Sequence, residues 1–264
     1  MSAASIDNDI AGRLALITGA SGGIGGGCAR ALFLQHVHLA LSYNSNRGSV
    51  EQLAVRLVDE YKTAFPGRSP PKISYHQADL SNTEETIKLA EQAQAQHDGK
   101  SVDILIANAG FGKRITDIEE IPLDVFEHTL NVNLRAPFLL AKSVVGAQKK
   151  QRWGRIIFIS SIAAYGVGLN GCHYAASKGG LTSMMKNLST RLAEFNITVN
   201  DVSPAMIGET GLIPSGDTVP GLVDSIPLGR LGVPQEVANV VSMFCTTGYM
   251  TGQSILLAGG LNHK

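Results

Sequence analysis

Tyr174 and Lys178, in "YAASK", stand four residues apart, so on a helix they share one face. A phenol and an ammonium placed together can exchange a proton with a substrate oxygen. The phenol ordinarily ionises near pH ~10, and a neighbouring cation favours its ionised form. Such a pair protonates a developing alkoxide, or takes a proton from an alcohol. Leu181 and Met185 extend the same face and turn it inward, where a lysine needs a partner or a task. Ser160 and Ser161 follow the apolar run "GRIIFI", Ser161 thirteen residues before the tyrosine. A hydroxyl at the C-terminal end of a strand can hydrogen-bond a substrate oxygen, at the edge where open α/β sheets carry their sites. Asn133, in "NVNLRAPF", is a poor helix former inside a helical segment, which suits a polar task.

A second stretch, "TGASGGIG" (18–25), follows the apolar run "RLALI" and opens a helical pattern. Free backbone N–H groups at a helix N-terminus attract phosphate. Gly19, Gly23 and Gly25 in that order permit a tight turn, a close phosphate approach and close helix packing. The spacing is GxxxGxG rather than GxGxxG. The second apolar run ends "LSYNSNR" (41–47) with no acid. Sites for NAD place an Asp or Glu there to hold the ribose hydroxyls. Tyr43, Asn44 and Ser45 can donate hydrogen bonds and Arg47 is cationic, a set that favours the 2′-phosphate of NADPH over NADH.

Seven short apolar runs must carry these groups: 13–18, 37–43, 72–77, 102–108, 154–160, 197–203 and 254–259. Each is bounded by Gly, Pro, Asn or Ser, as expected of parallel strands buried on both faces. Helical patterns lie between them; Val50, Leu53, Ala54 and Leu57 form one stripe, and Leu181, Met184, Met185, Leu188 and Leu192 another. Strand and helix in alternation predict one doubly wound α/β (Rossmann) domain, with helices on both faces of a mostly parallel seven-stranded sheet. The domain is expected over 12–264, after a flexible tail at 1–11. Residues 207–228 break the rhythm with Gly and Pro and read as a substrate lid. Within it Leu212, Ile213, Val219, Leu222 and Val223 fit an apolar pocket or packing between subunits.

Composition narrows the function classes. The chain has 264 residues, 44% hydrophobic and 17% charged, which suits a folded core. Lys plus Arg and Asp plus Glu are 22 each, so no net charge draws it to nucleic acid or to an anionic membrane. No aromatic-and-basic platform for nucleic acid stands out. No run nears the ~18 apolar residues of a membrane span, and the first ten residues resemble neither a signal nor a transit peptide, which points to the cytoplasm. Cys28, Cys172 and Cys245 form no metal pattern and read as small buried or partly buried residues, so no metal is expected. Cys172, two residues before Tyr174, is a candidate to line the site.

The ordered motifs resemble the short-chain dehydrogenases/reductases, in the branch of 3-oxoacyl-[acyl-carrier-protein] reductases and fungal polyketide or naphthol reductases. They are "TGASGGIG", "NAG" (108–110), "NVN" (131–133), the serine pair, "YAASK", "ITVNDVSP" (197–204) and "TGQSILLAGG" (251–260). The resemblance covers about residues 12–262 and implies strand order 3-2-1-4-5-6-7 in a homodimer or homotetramer built through helices at 122–146 and 171–195. It implies Tyr174 as general acid, Lys178 as its neighbour and ribose contact, Ser161 orienting the carbonyl and Asn133 supporting a proton-relay water. It places Asp79 and Leu80 at the adenine and Asn108, Ala109 and Gly110 along the cofactor. Ile207, after Pro204, falls at the carboxamide, and Ser21 and Ile24 complete the glycine-rich loop's contacts. Three departures stand out: Ala205 and a late Thr210 after Pro204, Gly22 where several NADPH-dependent members carry Arg, and Phe195 at one of two basic docking positions, the other being Arg152. The implied activity is NADPH-dependent reduction of a small-molecule ketone, with 3-oxoacyl thioesters and polyketide-type ketones both open. An NAD-dependent alcohol dehydrogenase and a cofactor-binding protein without redox function are the alternatives.

Overall fold

Leu14–Ile17 are all fully buried, and Gly154–Ile159 and Ile197–Pro204 are buried along their whole length. Strands sealed on both faces need helices above and below, and the chain supplies them. The computed structural model describes residues 6–166, 169–211, 213, 221 and 223–261. The strands are β1 (Leu14–Ile17), β2 (His38–Tyr43), β3 (Ile73–Gln77), β4 (Ile104–Ala107), β5 (Gly154–Ile159), β6 (Ile197–Pro204) and β7 (Ser254–Leu257). They form one sheet in the order β3-β2-β1-β4-β5-β6-β7, every neighbouring pair parallel. This is the doubly wound α/β class and the strand order expected from the sequence.

The helices are α1 (Gly23–Phe33), α2 (Arg47–Ala64), α3 (Thr83–Gln96), α4 (Leu123–Leu130), α5 (Ala136–Gln151), α6 (Cys172–Leu192) and α7 (Pro234–Thr246). On one face Phe33, Leu57, Val241 and Phe244 of α1, α2 and α7 pack over Ile17, Leu39 and Ile157. On the other, Leu89, Leu140 and Met185 of α3, α5 and α6 pack over Leu16, Leu105 and Phe158. Each large side chain so buried contributes roughly 1.5–3 kcal/mol of transfer free energy. Asn46 caps α2 and Asn82 caps α3 through side-chain oxygens. No helix among the described residues is long and apolar enough to cross a membrane.

Residues 6–11 do not behave as a flexible tail. Ile10 is buried in the core. The Asp7 carbonyl accepts hydrogen bonds from Trp153 Nε1 at 3.1 Å and Arg155 Nη2 at 3.2 Å, and its carboxylate pairs with Arg13 at 2.6 Å. The Arg13 and Arg155 guanidiniums stack on the Trp153 ring, 4.0 and 4.3 Å from its centroid. The polar composition of this segment concealed one apolar anchor and a backbone carbonyl with buried donors.

Candidate active site

The C-terminal ends of β1, β4, β5 and β6 open onto a cavity of about 750 Å3. The loop after β1 forms its floor. Gly19 adopts φ +65°, and a Cβ there would stand 2.9 Å from the Ala109 Cα. Thr18 fastens this loop to the end of β4: its Oγ1 accepts from the Asn108 and Ala109 N–H groups, both at 3.1 Å. In return Asn108 Nδ2 donates to the Thr18 carbonyl at 2.8 Å. Thr18 was not among the residues singled out from sequence, although it opens the glycine-rich motif. Gly22, at the N-cap of α1, supplies no side-chain cap, so the first turn presents its backbone dipole to the cavity. That end fits a phosphate.

Of the residues expected around a cofactor, Gly19, Ser21, Gly23, Ile24 and Gly25 line the cavity from the loop. Tyr43 and Asn44 reach it from the end of β2, and Asp79 and Leu80 from the end of β3. Asn108, Ala109 and Gly110 follow β4, and Pro204 and Ile207 follow β6. The Asp79 carboxyl is held below its ordinary range by a hydrogen bond from the Ser81 N–H, 2.8 Å long. Ser45 and Arg47 stand outside the lining. Arg47 begins α2, where its guanidinium pairs with Glu51 at 2.7 Å on the exposed surface. Thr210, the late threonine after Pro204, also lines the cavity, as do Phe111, Arg114 and His128, to which sequence reasoning assigned no place in it. The Phe111 and His128 rings meet edge to face at 4.6 Å.

Ser161, Tyr174 and Lys178 line the same cavity. Ser161 Oγ accepts from the Ala163 N–H at 3.1 Å, and its hydroxyl favours the ionised form of the Tyr174 phenol. Lys178 is buried, and its Nζ donates to the Ile159 carbonyl at 2.8 Å. Burial pushes the Lys178 ammonium down to about 8, against the opposing charge of Asp201. The Tyr174 phenol is pushed up by burial, and the Ser161 hydroxyl counters only part of it. This reverses the direction expected from sequence, where Lys178 was to lower it. Burial is the larger cause, while Nζ donates to Ile159 and lies 5.7 Å from the tyrosine ring centroid.

Asn133 stands just behind the cavity wall and does not line it. It sits in a π-helical segment, Asn131–Arg135, that joins α4 to α5. Its Oδ1 accepts from the Phe111 N–H at 2.8 Å, and its Nδ2 donates to the Phe111 carbonyl at 2.8 Å and to Ser177 Oγ at 3.1 Å. A Cβ on Gly110 would lie 3.5 Å from Asn133 Oδ1 and 3.6 Å from Lys178 Nζ, so the glycine keeps the space between them open.

The segment "PAMIGET" folds back on the loop. Met206 and Glu209 adopt positive φ, and Ile207 bridges to Gly232. A Cβ on Gly23 would stand 2.1 Å from the Glu209 carbonyl oxygen. The close approach at Gly23 is therefore made by this segment. Thr210 Oγ1 donates to the Ile207 carbonyl and accepts from the Ile213 N–H, both at 3.1 Å. Ile213 lines the cavity. Leu212, Val219 and Leu222 of the expected lid lie outside the described residues. Cys28 and Cys245 are buried, whereas Cys172 is exposed at the start of α6 and outside the cavity. No group of three or more His, Cys, Asp or Glu among the described residues is placed to hold a metal ion.

The arrangement can hold a carbonyl oxygen between two hydroxyls, with a buried cation behind them and a phosphate-binding loop alongside. Known proteins are similar to this chain over most of its length. The chain is 35% identical over 256 residues to a 3-oxoacyl-[acyl-carrier-protein] reductase FabG of Rickettsia felis, covering 96% of this chain and 98% of that protein. It is 32% identical to dehydrogenase/reductase SDR family member 4 of Bos taurus, covering 97% and 90%. Among solved structures, a blue fluorescent protein from a metagenomic library, in complex with NADPH, superposes with a TM-score of 0.82 at 32% identity, covering 96% of this chain and 99% of that one. The short chain dehydrogenase profile matches residues 13–216, and the chain belongs to that family of oxidoreductases.

Proposed function

We propose that this oxidoreductase is an NADPH-dependent carbonyl reductase acting on a small-molecule ketone. The observation that carries the reading is the convergence of Ser161, Tyr174 and Lys178 on one cavity with the glycine-rich loop. The nicotinamide, when bound, supplies the hydride. Ser161 hydrogen-bonds the substrate oxygen and orients it. Tyr174 donates the proton that the reduced oxygen takes up. Lys178, fixed by Ile159, places a cation behind the phenol and, with Asn133, frames the gap beside Gly110. Gly19, Ser21, Gly23, Ile24 and Gly25 would hold the pyrophosphate, and Asp79 and Leu80 the adenine.

Tyr43 and Asn44 at the end of β2, with no acid beside them, support NADPH over NADH. The Arg47–Glu51 pair is exposed and worth little, so a 2′-phosphate can draw the guanidinium away. The likeness to 3-oxoacyl reductases and to an NADPH complex supports a 3-oxoacyl thioester or related ketone. Exposed Leu123 and Phe138 on α4 and α5 support a homodimer or homotetramer through those helices. Three unpaired cysteines suit the cytoplasm.

Titration with NADPH and NADH tests the cofactor, and turnover of an acetoacetyl thioester tests the reaction. Binding of NADPH at least ~10-fold tighter, lost in Arg47→Ala, is expected. Equal or tighter NADH binding would replace the reading with an NAD-dependent alcohol dehydrogenase.

A further inference from the structure

Two carboxylates among the described residues are buried and take no part in the reaction above, Asp103 and Asp201. Asp201 lies on β6 with no exposed surface, in the face that packs on α6. Ile197 and Val199, in the same alternating row, belong to the apolar core there. A carboxylate as the next member of that row is costly to bury unless hydrogen bonds and charge compensate it. Asp201 Oδ1 accepts from Ser254 Oγ on β7 at 2.5 Å and from Ser203 Oγ at 3.2 Å. Its Oδ2 is buried with no hydrogen-bond partner among the described residues.

The surrounding hydroxyls lead to the catalytic groups. Thr182 stands one turn beyond Lys178 on α6, and its Oγ1 is 3.0 Å from Ser160 Oγ. Ser160 Oγ also reaches the Lys178 carbonyl at 3.4 Å, and the next residue is Ser161. Ser203 precedes Pro204 in the cavity wall. Ser254 Oγ is 2.7 Å from the Tyr165 phenol, on the 3-10 turn Ile162–Tyr165 that follows Ser161. One carboxylate, on the strand that leads to Ile207, is thus linked through Ser254 and Tyr165 to the turn that follows Ser161.

We propose that Asp201 is a positioning residue of this site, holding through Ser254 and Tyr165 the turn that follows Ser161 and setting a negative charge on the sheet face beneath the Lys178 helix. This rests on the reductase reading. The titratable groups facing Asp201 are Lys178 and Lys186 from α6 and Tyr165 through Ser254; its sheet neighbours Phe158 and Ser254 are uncharged. Burial raises the Asp201 carboxyl, while the Ser254, Thr182 and Ser203 hydroxyls and Lys186 act to keep it ionised. Its charge in turn favours the charged form of Lys178.

The test is Asp201→Asn, nearly isosteric and without the charge. Ketone reduction and the side-chain titration of Lys178, followed by its 13Cε NMR signal, are measured across pH 6–10. The expected result is kcat lower by about tenfold, with NADPH affinity within about twofold. The Lys178 titration, and the limb of the pH profile that follows it, moves to lower pH by roughly half a unit or more, because the ammonium has lost a favourable charge. Ser254→Ala, which keeps the charge and removes the short hydrogen bond, lowers kcat about threefold without moving the titration. An unshifted Lys178 titration together with unchanged kcat overturns the proposal. If Asp201→Asn does not fold, Ser254→Ala and Tyr165→Phe decide it, and unchanged kcat in both overturns it. The NMR titration needs no turnover, so a wild-type protein that reduces no ketone sinks the reductase reading without deciding the role of Asp201.

Discussion

Lys178 Nζ is tied to the carbonyl of Ile159, two residues before Ser161. One bond therefore sets the distance between the helix that carries the phenol and the strand end that carries the orienting hydroxyl. Replacing Lys178 with Met removes the cation and leaves the Ile159 carbonyl unpaired. We expect kcat/KM to fall by about 10²–10⁴. Steady-state assays on a 3-oxoacyl probe, with a thermal melt as control, check this.

Tyr174→Phe keeps the ring and removes only the hydroxyl. Turnover should fall by about 10²–10⁴, with NADPH affinity within about twofold. Fluorescence titration separates the two quantities. Undiminished turnover would remove Tyr174 from the role of proton donor.

Asn133→Ala removes three hydrogen bonds and strands both polar groups of the Phe111 peptide. Leaving buried groups unsatisfied costs about 1–3 kcal/mol. We expect urea midpoints to show a loss of about 2 kcal/mol, with activity lowered because the loop beside Gly110 loosens.

Gly23→Ala places a methyl where the Glu209 carbonyl stands. The contact is to backbone, so the "PAMIGET" segment must withdraw. NADPH affinity should weaken by about tenfold or more. Isothermal titration is the measurement, and unchanged affinity would mean that the segment's seat on the loop has no part in binding.

Acid should loosen the β3 side of the sheet. Burial pushes the His97 imidazole down to about 4, and His36, His38 and His76 move in the same direction. His76 and His97 both share the Ser74 hydroxyl, at 2.7 and 2.9 Å. Between the unfolded value of 6.5 and the folded value of about 4, the unfolded chain binds more protons, so stability falls as pH drops through that window. His97 alone accounts for about 3 kcal/mol by pH 4. Melting temperatures from pH 7.5 to 4.5 test this, and His97→Asn should flatten the slope.

Much of this site was legible because its signals are local. Tyr174 and Lys178 announce themselves by helical spacing, and the strands by apolar runs sealed between punctuating residues. What stayed hidden depends on partners far apart in the chain. Asp201 reads as one polar residue in "ITVNDVSP" until Thr182 and Ser254 are seen beside it. The π-helical turn that aims Asn133 at Phe111 has no spacing of its own. Burial of the Tyr174 phenol reversed an electrostatic expectation that was sound for two groups in isolation. Arg47 was read by charge alone, and its neighbour Glu51 claims it.

Trp153 is the chain's single tryptophan, and it is clasped by Arg13 and Arg155 where the N-terminal residues dock. It precedes β5 at the end opposite Ser161, roughly 20 Å away along six strand residues. Its emission is thus a built-in gauge of whether the amino-terminal segment is seated, readable without a label and remote from the chemistry. A wavelength shift on adding ligand would register mechanical communication down the length of the central strand.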